Sequence, residues 1–342
     1  MKLEKEQKHV IRETLRFSKP IIKIGGYAGT GKTTIIRHIS QALPNFSVCA
    51  FTGKAANVLR QKGVAEASTI HSLIYNPCLD ADRNVYFTLS NDLSCDGIIV
   101  DEASMISKEI YDDLCYFKKP IIFVGDHGQL EPIGDKFNLM KQPDYTLEKI
   151  HRNSGEVAHF AEFIRNGYRP GAWKHRNPGK KIKFISKYDY ANYIHDVDQV
   201  ICAFNKTRVE INKKARKQLG RGPKLEENDR VMCLRNNHPL GLFNGMQGIA
   251  SEIKGRRMTF NAQDKSIRLF YDKKIFNQVK YEFDFDQNEL NPFDYCWGIT
   301  CHKAQGDEWN RGLVIEQRCD LWKHSRWAYT AASRFKELIW AE

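Results

Sequence analysis

The chain has 342 residues, room for two or three compact units, so a single small module is excluded. Hydrophobic residues at 42% and charged residues at 27% fit an ordinary globular protein; no run reaches the ~18 apolar residues of a membrane span, and the charged start MKLEKEQKHVIRETL lacks a signal peptide's apolar core, so a cytoplasmic protein without membrane contact is expected, in a host's cytoplasm for a viral chain. The nine cysteines include no CxxC pair, which argues against a zinc ribbon or disulfide framework, and the net charge of +12 points to a polyanionic partner.

The first informative stretch is PIIKIGGYAGTGKTTIIRHI, a short β-rich run, a glycine loop and an amphipathic helix. GYAGTGKT, Gly26 to Thr33, fits G-x-x-x-x-G-K-[ST] at every fixed position. Gly26, Gly29 and Gly31 allow a tight loop whose backbone N–H groups, with Thr30, converge on phosphate oxygens, and the helix start at Thr33 and Thr34 adds its dipole. Lys32 neutralises the β and γ phosphates of ATP in this reading, and the Thr33 hydroxyl holds Mg2+. Downstream, DGIIVDEASMIS carries Ile98 to Val100 as a buried strand that delivers Asp101 and Glu102 beside the loop. Asp101 suits the outer sphere of Mg2+, and Glu102 can polarise the attacking water. A third strand, in KKPIIFVGDHGQLEPIG, ends in Asp126 and Gln129; a neutral amide can sense a γ-phosphate without repelling it.

β-rich runs at 21–25, 47–51, 97–100 and 120–124 alternate with helical patterns, so residues 1–71 and 96–150 are expected to form a parallel α/β domain. Residues 72–95 interrupt it with two short strands around the turn-prone DADRN, where Tyr86 and Phe87 fit core positions. A second α/β domain is expected over 151–228 and 293–342. Its basic content is clustered: Arg165 to Lys187 holds eight Lys or Arg and no acid, and NKTRVEINKKARKQLGR has Glu210 as its only carboxylate. Between these parts, 229–292 changes to alternating short strands with NG and KG turns, a small β-barrel of SH3-like or OB type.

The order of these segments resembles superfamily 1 helicases of the 5′-to-3′ subclass, RecD-like and Dda-like. The resemblance implies two RecA-like parallel α/β motor domains, a pin-like hairpin at 72–95 and an SH3-like barrel at 229–292. LEKEQKHVI resembles the adenine-reading motif, with Gln7 as the contact. AFTGKAANVL and ASTIHSL imply DNA contacts at Thr52, Lys54 and His71, with Thr69 nearby. YTLEKIHRN implies that Arg152 is directed at the γ-phosphate. FNKTRVEIN puts Asn205 and Arg208 on the strand, and GITCHKAQGDEW does so for Thr300, His302 and Lys303. Gln305, Gly306 and Glu308 would sit at the domain junction, with Glu308 counted among the nucleotide contacts.

WAYTAASRF resembles the motif Y-T-A-x-S-R, which gives Arg334 a role: a planar, permanently charged fork that stabilises the transferring phosphoryl group. The implied activity is ATP-dependent 5′-to-3′ translocation on single-stranded DNA and duplex unwinding at single-strand/duplex junctions by a monomer, with ATP hydrolysed in the cleft between the domains. A nucleotide-gated single-strand-binding switch or complex subunit stays open as a second reading, as does an RNA track. The end at LIWAE, without tails, favours a minimal motor over a subunit.

Overall fold

A computed structural model describes residues 3–79, 85–131, 137–150, 155–176, 179–262, 265–281, 290–320 and 322–342. The chain divides into two compact units, Met1–Ala158 and His159–Glu342. Arg152 and the DADRN turn at 80–84 lie outside the described residues.

The first unit contains α1 (Lys5–Thr14), β1 (Ile21–Gly26), α2 (Lys32–Ala42), β2 (Phe46–Ala50), α3 (Gly53–Gln61), β3 (Ser68–Thr69), α4 (Ile70–Ile74), β4 (Tyr75–Leu79), β5 (Val85–Leu89), β6 (Gly97–Asp101), α5 (Lys108–Tyr116), β7 (Ile121–Gly125) and β8 (Tyr145–Leu147). Six strands form a parallel sheet in the order β3-β2-β6-β7-β1-β8. Successive side chains of a strand point to opposite faces, and here both faces are covered. Ile22, Ile24, Ile99, Ile122 and Val124 join Ile35, Ile36 and Ile39 of α2 and Leu59 of α3 on one side. Ile98, Val100, Ile121 and Phe123 join Ile70, Ile74 and Leu114 on the other. That two-sided burial is why these strands read as unbroken apolar runs. β4 and β5 pair antiparallel as a separate two-stranded ladder, Tyr75 opposite Leu89, with Phe87 56% exposed.

The second unit contains α6 (Gly155–Arg165, which begins in the first unit), β9 (Ile182–Ile185), β10 (Gln199–Cys202), α7 (Asn205–Gln218), β11 (Arg230–Cys233), β12 (Gln247–Lys254), β13 (Arg257–Ala262), β14 (Lys265–Phe270), β15 (Phe293–Tyr295), β16 (Gly298–Thr300), β17 (Trp309–Ile315), α8 (His324–Ala332) and β18 (Phe335–Ala341). Its parallel sheet runs β16-β10-β17-β18-β9, and an antiparallel sheet runs β14-β13-β12-β11-β15. The antiparallel sheet takes in Phe293–Tyr295, beyond the expected boundary at 292. One apolar cluster runs from Val200, Leu313 and Ile339 through Ile211 and Ala215 of α7 to Val231, Phe260 and Tyr295. The antiparallel sheet therefore shares its core with the parallel one. No helix among the described residues is long and apolar enough to cross a membrane.

Candidate nucleotide and nucleic-acid sites

The loop from Gly26 to Gly31 joins β1 to α2, and its shape follows from its glycines. Gly29 (φ 79°) and Gly31 (φ 85°) occupy the left-handed region that side chains rarely adopt. At Gly26 an added Cβ would meet Thr30 Oγ1 at 2.8 Å. Thr30 is buried and its hydroxyl donates to Tyr27 O at 2.8 Å. Lys32 Nζ donates to Gly26 O at 2.9 Å and Tyr27 O at 3.1 Å, and lies 3.9 Å from Asp126 Oδ2. The lysine's hydrogen bonds thus go to neutral backbone oxygens, which an anionic phosphate outcompetes as an acceptor. Thr33 and Thr34 lie in the first turn of α2.

Gln7 is almost wholly buried on α1; its Nε2 donates to Thr30 O at 3.2 Å and its Oε1 accepts from Glu4 N at 3.1 Å. It ties α1 to the phosphate loop. Asp126, fully buried after β7, accepts from Gly128 N at 2.9 Å and from Gln129 Nε2 at 3.2 Å. It therefore orients Gln129 while facing Lys32. The sequence placed Asp126 at a strand end without giving it this role; its signal was the apolar run IIFVG that ends in a carboxylate.

Asp101 closes β6 and accepts from Glu102 N at 2.8 Å. Burial, and next the adjacent Glu102 carboxylate, push Asp101 up to about 7, while Lys32 and Lys62 pull it down. The pair is short of positive charge. Glu102 holds φ 54° and ψ 38°, a left-handed conformation that costs a non-glycine residue on the order of 1 kcal/mol. Its Oε2 is buried and accepts no hydrogen bond among the described residues. Hard carboxylate and hydroxyl oxygens at Asp101 and Thr33 suit Mg2+, which keeps much of its remaining shell from water and phosphate. The residues fit that ion.

Still in the first unit, Thr52 is the N-cap of α3, its Oγ1 accepting from Ala55 N at 3.1 Å. Lys54 follows in the first turn of that helix, half-buried, and His71 is exposed on α4 with its ring centroid 5.3 Å from that of Tyr75. A helix start offers backbone N–H groups and a positive dipole to a backbone phosphate.

In the second unit, Asn205 opens α7, exposed, and Thr300 ends β16 as the cap of a single 3-10 turn that carries His302 and Lys303. Because β10 and β16 pair in parallel, Cys202 opposite Thr300, their C-terminal ends bring Asn205, Thr300 and His302 to one edge of the sheet. Burial holds His302 below its ordinary value, and does the same to Lys303, whose Nζ donates to Asn244 Oδ1 at 2.7 Å. Asn244 and the Trp322 ring, 5.8 Å from His302, are neighbours that the sequence alone did not assign to this edge.

Arg208 is a correction. Expected on the strand, it is 2% exposed, ion-paired with the fully buried Asp294, bonded to Gln278 O, and set over the Tyr281 ring at 5.0 Å. Its guanidinium is committed inside the unit; its Nε donates to Asn205 Oδ1 at 3.3 Å, so it positions Asn205. The partner, 86 residues away, leaves no local trace in the sequence. Arg334 follows α8, 6% exposed, donating to Thr330 O at 3.2 Å, Asp307 O at 3.4 Å and Ser333 Oγ at 2.9 Å. All three acceptors are neutral. Its carbonyl accepts from Trp309 N at 2.8 Å, next to the exposed Glu308. Gln305 and Asp307 are buried, and Gly306 has φ 80°.

The phosphate loop on a parallel sheet, with carboxylates at two strand ends, defines a P-loop nucleotide-binding α/β protein. The chain matches the AAA domain over residues 2–195, more than half its length, and belongs to that family. It is similar to the ATP-dependent DNA helicase Dda of Enterobacteria phage T4, 29% identical over 184 residues covering 48% of this chain and 42% of the phage protein. It is also similar to the RecD2 DNA helicase of Deinococcus radiodurans, 24% identical over 374 residues covering 98% of this chain and 48% of RecD2. The chain thus spans less than half of each of these two relatives. Their likeness bears out the resemblance to RecD-like and Dda-like superfamily 1 helicases. The fold is that of the Pif1 helicase from Bacteroides solved with ADP-AlF3 and single-stranded DNA: TM-score 0.67, 19% identity, 100% of this chain and 93% of that one.

Proposed function

We propose that the chain is an ATP-dependent DNA helicase that moves 5′ to 3′ along single-stranded DNA and opens duplex at single-strand/duplex junctions. The observation that carries this is Lys32, held over the phosphate loop by backbone carbonyls and facing Asp126, which in turn orients Gln129. Lys32, with the backbone of Gly26, Gly29, Thr30 and Gly31, holds the phosphates of ATP; Gln7 reads the base; Thr33, Thr34 and Glu308 complete the contacts. Asp101 and Thr33 hold Mg2+, which when bound neutralises the phosphate oxygens. Glu102 accepts the proton of the attacking water, and its buried, unengaged Oε2 supports that role. Gln129 senses the γ-phosphate, and Arg152 and Arg334 stabilise the charge that grows as it leaves.

On the polymer side, Thr52, Lys54, His71, Asn205, Thr300, His302 and Lys303 hold the DNA backbone, with Arg208 positioning Asn205. Contacts to backbone rather than base edges let a motor ignore sequence. Residues 1–71 and 96–150 act as the first motor domain, 151–228 and 296–342 as the second, and 229–295, extended to take in β15, as an SH3-like insertion. The ladder at 72–95 acts as the pin, a reading supported by the exposure of Phe87. The protein works as a monomer in the cytoplasm.

The test is ATP hydrolysis with and without single-stranded DNA, paired with unwinding of 5′- and 3′-tailed duplexes before a trap strand. Strong stimulation and preference for the 5′ tail are expected. Hydrolysis indifferent to DNA, or DNA-stimulated hydrolysis with no strand separation, would overturn the helicase reading, the second outcome favouring a switch.

A further inference from the structure

The basic run from Arg165 to Lys187 is left unused by the nucleotide site and by the contacts proposed for the DNA. Its two ends come together in space. Arg169 and Lys187, separated by the 3-10 turn Pro170–His175 and strand β9, line one depression of about 490 Å³ with Arg318, which follows β17. Two carboxylates share the lining, and both are engaged. Glu316 accepts from His324 and from Trp340 Nε1 at 2.7 Å, and Glu342 is ion-paired with Lys174. Against them, Arg169 and Lys187 have no carboxylate partner among the described residues, and Arg318 has only a 3.7 Å approach to Glu316 while remaining 64% exposed. Beside the depression stands Tyr188, 82% exposed, with Lys187 Nζ 5.3 Å from its ring centre.

A solvated edge explains part of this pattern but not all of it. Lysines on β9, the last strand of its sheet, discourage pairing with another chain, which accounts for Lys183. That account does not require cations from three separate segments to converge, nor an aromatic ring held almost fully in water. Cations that take phosphates beside a flat ring that takes a base are the two components of a single-strand site. The location agrees with that. Asn205 and Thr300 sit at the C-terminal ends of β10 and β16; the depression sits at the C-terminal ends of β9, β17 and β18 in the same parallel sheet. The two lie on one side of the sheet, and its outer strands are four strand spacings, roughly 19 Å, apart.

We infer that Arg169, Lys187, Arg318 and Tyr188 form a second site for single-stranded nucleic acid on this unit, which holds the strand outside the track lined by Asn205 and Thr300. The inference rests on the helicase reading only in taking the polymer to be the same one. It gives the motor a grip on strand that has already left, or has yet to enter, the track.

The test is equilibrium binding of fluorescent oligo(dT) of ~8 and ~30 nucleotides, lengths below and above the reach of one compact site. The proteins compared are the wild type, Arg169→Gln/Lys187→Gln/Arg318→Gln, Tyr188→Ala and Tyr188→Trp. The triple variant is expected to lose about tenfold in affinity for the long oligonucleotide at ~0.1 M salt. Its salt dependence should flatten by about 2 in log–log slope, as three lost phosphate contacts imply, with the short oligonucleotide unaffected. Tyr188→Ala should weaken the long oligonucleotide alone, and Tyr188→Trp should restore it. Unchanged long-oligonucleotide affinity in the triple variant overturns the site, as does an equal loss at both lengths, which would merge these residues with the track. These outcomes are read from binding. A wild type that binds with the predicted length dependence but shows no DNA-stimulated hydrolysis retains this site and loses the helicase reading.

Discussion

The C-terminal ends of the two parallel sheets carry opposite chemistry. In the first unit they present Asp101, Glu102 and Asp126 near Lys32, and burial, with the Glu102 carboxylate next, pushes Asp101 up to about 7. In the second they present Asn205, Thr300, His302 and, farther along, Arg169 and Lys187, with the carboxylates already bonded. The same architecture thus offers a carboxylate-rich cluster of strand ends suited to a metal–triphosphate and a polar to basic edge suited to a long polyanion. The chemistry of each unit is set by what its strands deliver at their ends, not by the parallel-sheet architecture the two units share.

The largest effects should come from the charges placed singly. Lys32→Ala should lower DNA-stimulated kcat by about 10³-fold, and Arg334→Ala by a similar factor, with single-strand affinity changed less than about threefold. Steady-state hydrolysis and anisotropy measured side by side check this; parallel loss of DNA binding in Lys32→Ala would erase the division of labour. Next in size is the buried pair of the second unit. Asp294→Ala leaves Arg208 charged in the interior and should destabilise the fold by about 3–5 kcal/mol in denaturant titration. Mild destabilisation of Arg208→Ala together with a large, specific loss of DNA affinity would instead return Arg208 to the strand.

How far the sequence reaches follows from where information is stored. The phosphate loop was legible because each fixed position answers a local demand, among them a left-handed backbone at Gly31 and a cation at the next residue. The parallel strands were legible because burial on both faces writes unbroken apolar runs such as GIIVD and IIFVG. Arg208 was misread because its partner Asp294 is remote in sequence, and in one dimension a buried arginine looks like a phosphate-binding one. The same blindness hid the meeting of Arg169, Lys187 and Arg318, which belong to separate segments. The limit of 229–292 fell short because β15 returns to pair with β11 after a long excursion.

Smaller effects sharpen the contrast. Thr52→Ala removes the α3 cap and a hydroxyl at the proposed phosphate seat. It should cost about 1 kcal/mol of stability and weaken single-strand binding about fivefold, measured by thermal unfolding and anisotropy. Smallest is a pH effect at Glu316. Burial raises its carboxyl, but bonds from His324 and Trp340 outweigh that and hold it below its ordinary 4.5. The folded form therefore gains stability that is complete above 4.5 and disappears as pH falls through the lowered folded value. Glu316→Gln should flatten the acid side of a Tm–pH curve in that window and leave it parallel to wild type near neutrality; an unchanged acid side would show that the carboxylate contributes nothing.

Under the proposed function Lys32 binds ATP and Arg334 completes its hydrolysis. The most direct test is Arg334→Ala, with the affinity for a fluorescent Mg–ATP analogue and the single-turnover hydrolysis rate on saturating single-stranded DNA measured on the same preparation. Affinity within a few-fold of wild type with hydrolysis down about 10³-fold is predicted. Hydrolysis at the wild-type rate would contradict it.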